Sequence, residues 1–192
     1  MDPLKKYYFE QVQKWNENLN VILDKESEYN AAIIKKYKII LDELKDQLRL
    51  YFYTNNYVII EQPSFMEAKF ENGLLLVRVE FPEVFPDSQY KIRLSIVEDS
   101  RREFMIYICP NINQLYIPKM SNIRNRPKDS IQLNKSISNL ENEFIFLDDK
   151  IKEINQITFH YCYHSSQKRQ NEIEELKIYN DFLTILIKLL SN

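Results

Sequence analysis

Glycine is almost absent. Gly73 is the one glycine in 192 residues, where ordinary usage is roughly 7%. Glycine-rich phosphate loops and dinucleotide fingerprints need backbone that only glycine permits, so both are excluded. Turns that require positive φ fall to asparagine or aspartate, and asparagine is plentiful. Cysteine is scarce too, with Cys109 and Cys162 only. The opening Met-Asp-Pro-Leu-Lys-Lys-Tyr-Tyr has no apolar core for a signal peptide, so the two read as reduced thiols of an intracellular protein, cytoplasmic or nuclear. No apolar run approaches the roughly 20 residues of a membrane span. Charge of one sign is also missing: 26 Lys and Arg stand against 28 Asp and Glu. That balance removes a global pull toward nucleic acid or anionic membrane.

What is present is a core. Hydrophobic residues make up 44% of the chain, enough for one domain with or without an appendage. Leu4, Tyr8, Val12, Trp15, Leu19 and Ile22 fall at spacings of three and four, one stripe of a helix. Asp24-Lys25-Glu26-Ser27 interrupts it. Tyr29, Ile33, Tyr37, Ile40, Leu44, Leu48 and Tyr51 form a second stripe. A helical hairpin and one long, kinked helix both satisfy this pattern. The stripes can pack on the protein's own core or on a coiled-coil partner.

From Asn56 the period changes to that of strands. Tyr57 to Glu61 is β-branched and aromatic, and Phe65 to Phe70 alternates. Leu74 to Phe81 places Leu75, Val77, Val79 and Phe81 on one face. Tyr90 to Val97 turns Tyr90, Ile92, Leu94 and Ile96 inward. Glu98 to Arg102 is a turn and Phe104 to Ile108 a further strand. Short strands joined by tight turns predict an antiparallel meander of four to five strands. Residues 110–130 read as a long loop. Leu133, Ile137, Leu140, Phe144, Leu147, Ile151 and Ile154 then give the cleanest helical stripe in the chain. Ile157 to Tyr163 reads as strand or extended connector. Ser166 is placed to cap a last helix through residue 190, with Ile173, Leu176, Tyr179, Leu183, Leu186 and Leu190 on one face.

One segment resembles a known family. Asn72-Gly73, an alternating strand, Phe81-Pro82-x-x-Phe85-Pro86 and then Lys91-Ile92 are similar to the third and fourth strands of the ubiquitin-conjugating fold, and of RWD domains that share its topology without catalysis. The family carries Gly-Gly, Phe-Pro-x-x-Tyr-Pro, a second proline pair and Lys-Val. Here Phe85 replaces the tyrosine, and Gln89 and Tyr90 stand where prolines are expected. Physically, Pro82 lacks a backbone donor and ends ladder pairing on its strand. Cys109-Pro110-Asn111-Ile112 resembles the His-Pro-Asn-Ile segment of conjugating enzymes. Cys109 takes the histidine's place, and residues 114–130 hold no cysteine to form the thioester. The resemblance therefore implies an α+β domain without catalysis. It further implies that residues 28–192 are an RWD-like domain with a meander sheet backed by helices, and residues 1–27 a helical extension.

The function this implies is that of a protein–protein interaction module, a subunit or adaptor of a larger intracellular complex, with no cofactor. The expected anchor is an exposed stripe at Tyr8, Trp15 and Leu19, since Trp and Tyr often dominate interfaces. It leaves homo- and hetero-oligomers open. Lys119, Arg124, Arg126 and Lys128 form a basic loop that can meet an acidic partner; without interleaved aromatics, nucleic acid is not expected. His160, Cys162 and His164 alternate on one strand face, with Cys109 as a conceivable fourth zinc ligand. Residues four apart on a strand lie roughly 13 Å apart, so the two histidines cannot share one ion and no metal is expected. The alternatives are a divergent conjugation-type enzyme using Cys109 and a small inhibitor or immunity-type protein.

Overall fold

The computed structural model describes residues 3–70, 73–82, 90–98, 100–111, 127, 129–165 and 178–191. The chain divides into two compact units: Met1–Lys36 with Asn113–Ile157, and Tyr37–Ile112 with Thr158–Asn192. We call them the helical unit and the sheet unit.

Helix α1 runs without a break over Pro3–Thr54, so of the two arrangements the sequence allowed, the long helix is the one observed. The charged run Asp24 to Ser27 does not end it, because none of its residues is proline or glycine, and Lys25 bridges to Glu28 one turn on at 3.0 Å. The end comes at Asn55 and Asn56. Asn56 takes a φ of 63°, the left-handed cap conformation that glycine usually supplies. Gly73, with a φ of 84°, is the other positive-φ position among the described residues.

The helical unit pairs the first part of α1 with α2, Ser130–Glu153. Asp129 caps α2 by accepting the Gln132 N–H at 2.8 Å. Val12, Trp15, Ile22, Leu133, Ile137 and Leu140 form its core, with Tyr8, Leu19 and Phe144 packed alongside. Tyr7 meets Asn134, Lys14 meets Glu141, Lys25 meets Asp148 and Lys36 meets the Asn155 carbonyl. Partner numbers rise together, so the two helices run parallel. Their apolar residues alternate at three and four, the spacing of a coiled-coil seam. Buried Glu26 continues the α1 seam between Ile22 and Tyr29.

In the sheet unit, β1 (Tyr57–Gln62), β2 (Phe65–Phe70), β3 (Leu75–Glu80), β4 (Tyr90–Val97), β5 (Arg101–Pro110) and β6 (Phe159–Ser165) form one antiparallel sheet in sequential order. Among the described residues it has six strands rather than four or five. The segment left open as strand or connector is β6, and it pairs with β5 along Phe104–Pro110. One face carries Met66, Ala68, Val77, Val79, Ile92, Leu94, Ile96, Ile106 and Ile108, all buried, as the alternation predicts. The second part of α1 supplies Tyr37, Leu41, Leu44, Leu48 and Phe52 to the same core. Its helical face thus centres on Leu41 and Phe52 rather than on Ile40 and Tyr51. Edge-to-face ring contacts join Tyr37 to Phe159, and Phe52 lies 5.1 Å from Tyr57. Phe81 is buried, with the Lys45 ammonium 4.9 Å from its ring. β3 pairing stops just before Pro82, while Phe85 and Pro86 lie outside the described residues.

The last helix differs from expectation. α3 covers Phe182–Leu190 and is capped by Asp181, whose carboxylate accepts from Leu183 N and Thr184 N. Ser166, Ile173 and Leu176 lie outside the described residues. Tyr179, placed on the helix by its periodicity, is instead extended: it exchanges backbone hydrogen bonds of 2.7 and 2.8 Å with Tyr161.

Candidate functional site

Two surfaces hold the chain's unusual side chains. The first lies on the helical unit, in a groove between α1 and α2. Asn18, Val21, Leu140, Glu141, Phe144 and Ile145 line about 280 Å³ there. Leu140 is buried, but Val21 is 46% and Ile145 60% exposed. Ion pairs frame the groove: Lys14–Glu141 at 2.9 Å and Lys25–Asp148 at 3.0 Å. The Lys14 ammonium holds the Glu141 carboxyl below the usual carboxylate range. Lys152, followed by Lys25, does the same for Asp148. The Lys25 ammonium also lies 5.9 Å from the Phe144 ring. This is an apolar floor with charged ends.

The expected anchor is elsewhere. Trp15 is 4% exposed, and its indole N–H donates to Ser136 Oγ at 2.9 Å. Tyr8 and Leu19 pack against the same core. The stripe expected to be exposed is therefore corrected: α2 of the same chain covers Trp15, and Tyr8 and Leu19 are half-buried beside it. Lys119, Arg124, Arg126 and Lys128 lie outside the described residues.

The second surface is the other face of the sheet. On β2 to β4 it is a charge ladder: Glu67 to Lys69 and Arg78, Arg78 to Glu80, and Glu80 to Arg93, at 2.9–3.7 Å. Exposed pairs of this kind contribute little to stability. Ser95 lies on this face but is buried between its register partners Arg78 and Glu103.

Toward β5 and β6 the chemistry changes. Register places Met105, Tyr107 and Cys109 opposite His164, Cys162 and His160. The Tyr107 hydroxyl and His164 Nε2 are 2.8 Å apart. The Cys109 and Cys162 sulfurs are 3.6 Å apart. Both thiols are free, Cys162 buried and Cys109 half-buried. Burial, with the Cys109 sulfur beside it, pushes the Cys162 thiol up to about 12. His160, Cys162 and His164 do share one face. Even so, no group of three or more potential ligands is placed to hold a metal among the described residues.

The pairing of Cys109 with Cys162 was half visible in sequence, where Cys109 stood as a fourth ligand to the His-x-Cys-x-His segment. The groove residues Val21 and Ile145 were missed. Their signal was apolar character off the main helical stripes.

The fold and surfaces define an α+β protein with a meander sheet and a paired-helix unit. No protein-family model, curated protein or solved structure matches the chain. Among the described residues, no helix is long and apolar enough to cross a membrane.

Proposed function

We propose that this protein is a non-catalytic interaction subunit that receives one amphipathic helix of a protein partner in the groove between α1 and α2. The observation that carries this reading is the exposure of Val21 and Ile145 over a floor of Leu140 and Phe144. A third helix laying apolar residues there buries what two helices leave open, and Lys14, Glu141, Lys25 and Asp148 select its flanking charges. The RWD-like assignment belongs to the same reading. Its support is the order of helix, antiparallel meander and helix, with Phe81-Pro82 at the exit of β3. β6, which follows α2, is additional to that order.

The test is the pair of charge substitutions Val21→Arg and Ile145→Arg in the full chain. Both side chains are exposed, so the variant should fold with an unchanged helical spectrum. Tagged wild-type chain should co-purify a stoichiometric partner from its native source, and the variant should lose it. Equal recovery of that partner by both chains would sink the proposal.

A further inference from the structure

We propose that Cys109 and Cys162 form a peroxide-oxidisable dithiol that closes to a cross-strand disulfide between β5 and β6. The geometry is specific to this pair. Cys109 is the register partner of His160, and Cys162 of Tyr107. The sulfurs thus approach on the diagonal, at 3.6 Å. A disulfide needs about 2.0 Å between sulfurs, so closure requires about 1.5 Å of combined side-chain rotation and strand adjustment. These are the only cysteines in the chain, so no other intrachain pairing competes.

Exposure orders the steps. Cys109 is half-buried and Cys162 buried, so the peroxide meets Cys109 first. The Cys109 thiol gives its proton to solvent, and the thiolate attacks one oxygen of hydrogen peroxide. An S–O bond forms, the O–O bond breaks, and the departing hydroxide takes a proton to become water. Cys109 is now a sulfenic acid. Cys162 keeps its proton, since burial raises its pKa. The Cys162 proton passes to the sulfenic oxygen as the Cys162 sulfur, thereby a thiolate, attacks the Cys109 sulfur: the S–S bond forms, the S–O bond breaks, and the departing hydroxyl leaves with that proton as a second water. Two thiols are oxidised by two electrons and one peroxide is reduced to two waters. A cellular dithiol or the thioredoxin class of reductant returns the pair to the reduced state. The segment between the cysteines contains all of α2, so the bond ties both ends of that excursion at the sheet.

The experiment uses the full chain, fully reduced and then treated with hydrogen peroxide. Intact mass should fall by two hydrogen atoms, and peptide mapping should join the Cys109 and Cys162 peptides within one molecule. Cys162→Ala, which cannot resolve the intermediate, should instead accumulate a Cys109 sulfenic acid that dimedone captures. In Cys109→Ser, dimedone labelling of Cys162 should be at least tenfold slower than that of Cys109 in Cys162→Ala. Wild-type chain that gains oxygen on Cys109 without linking, or that links only between molecules, overturns the proposal. The wild-type measurement stands alone if either variant fails to fold.

Discussion

Leu140→Ala is expected to destabilise the helical unit by about 2–5 kcal/mol, the usual cost of removing a fully buried leucine side chain and leaving a cavity. Leu140 is fully buried, in one cluster with Trp15, Val12, Ile22 and Ile137. Trp15 is the sole tryptophan, so its fluorescence reports this unit and no other. With a urea slope of about 2 kcal/mol per M, that loss moves the midpoint down by about 1–2.5 M. Ser136→Ala provides a graded companion. It leaves the Trp15 indole N–H without its acceptor at 2.9 Å, at a cost of about 1 kcal/mol. The assay is urea denaturation followed by tryptophan emission in wild type and both variants. Wild-type emission should be that of a buried indole, red-shifting once on unfolding. A water-exposed emission maximum in native wild type, or a Leu140→Ala midpoint equal to wild type, would refute the pairing of α1 with α2.

Other outcomes follow from single residues. Asp181→Ala removes the cap that accepts from Leu183 N and Thr184 N; thermal melts should show a loss of about 0.5–2 kcal/mol. Gly73→Ala meets no neighbouring atom but keeps a φ of 84°, so its cost should be backbone strain alone, about 1 kcal/mol by urea midpoint. Burial pushes the Tyr161 phenol from its ordinary 10.0 up to about 12, with Asp181 and Glu43 adding to the shift. The unfolded chain then releases this proton before the folded chain does, so stability is full below pH 10 and falls between 10 and 12. Urea midpoints measured across that window should drop, and Tyr161→Phe should lessen the drop. Oxidation of Cys109 and Cys162, separated by 53 positions, closes a loop worth at most about 4 kcal/mol of unfolded-state entropy. The peroxide-treated chain should therefore unfold at higher urea than the reduced one.

The strands were legible because alternation is a local property. Val77 and Val79 on β3, Phe81 just after it, and Ile92, Leu94 and Ile96 on β4 are buried as their spacing required. The stripe from Leu133 to Ile154 was legible for the same reason, and its buried members form α2's inner face. What periodicity did not tell is which surface covers which stripe. Trp15 and Leu19 looked available to a partner because α2, which covers Trp15, lies more than 100 positions away in sequence. Tyr179 fitted a helical period by coincidence, and its backbone pairing with Tyr161 depends on a contact no local pattern encodes. The groove was hidden for a related reason. Val21 and Ile145 are unremarkable on separate helices and become a site only when α1 and α2 run side by side.

On the proposed function, this groove holds a partner's helix. Placing a photo-reactive amino acid at Ile145, which is exposed at the groove's rim, tests it most directly. After irradiation in the native source, mass spectrometry should find a one-to-one adduct with a distinct polypeptide, attached within a segment of amphipathic helical period. The same residue placed at exposed Lys35 on α1, away from the groove lining, should give no such adduct. Adducts confined to the chain itself, or equal labelling from both positions, would rule out a partner helix in the groove.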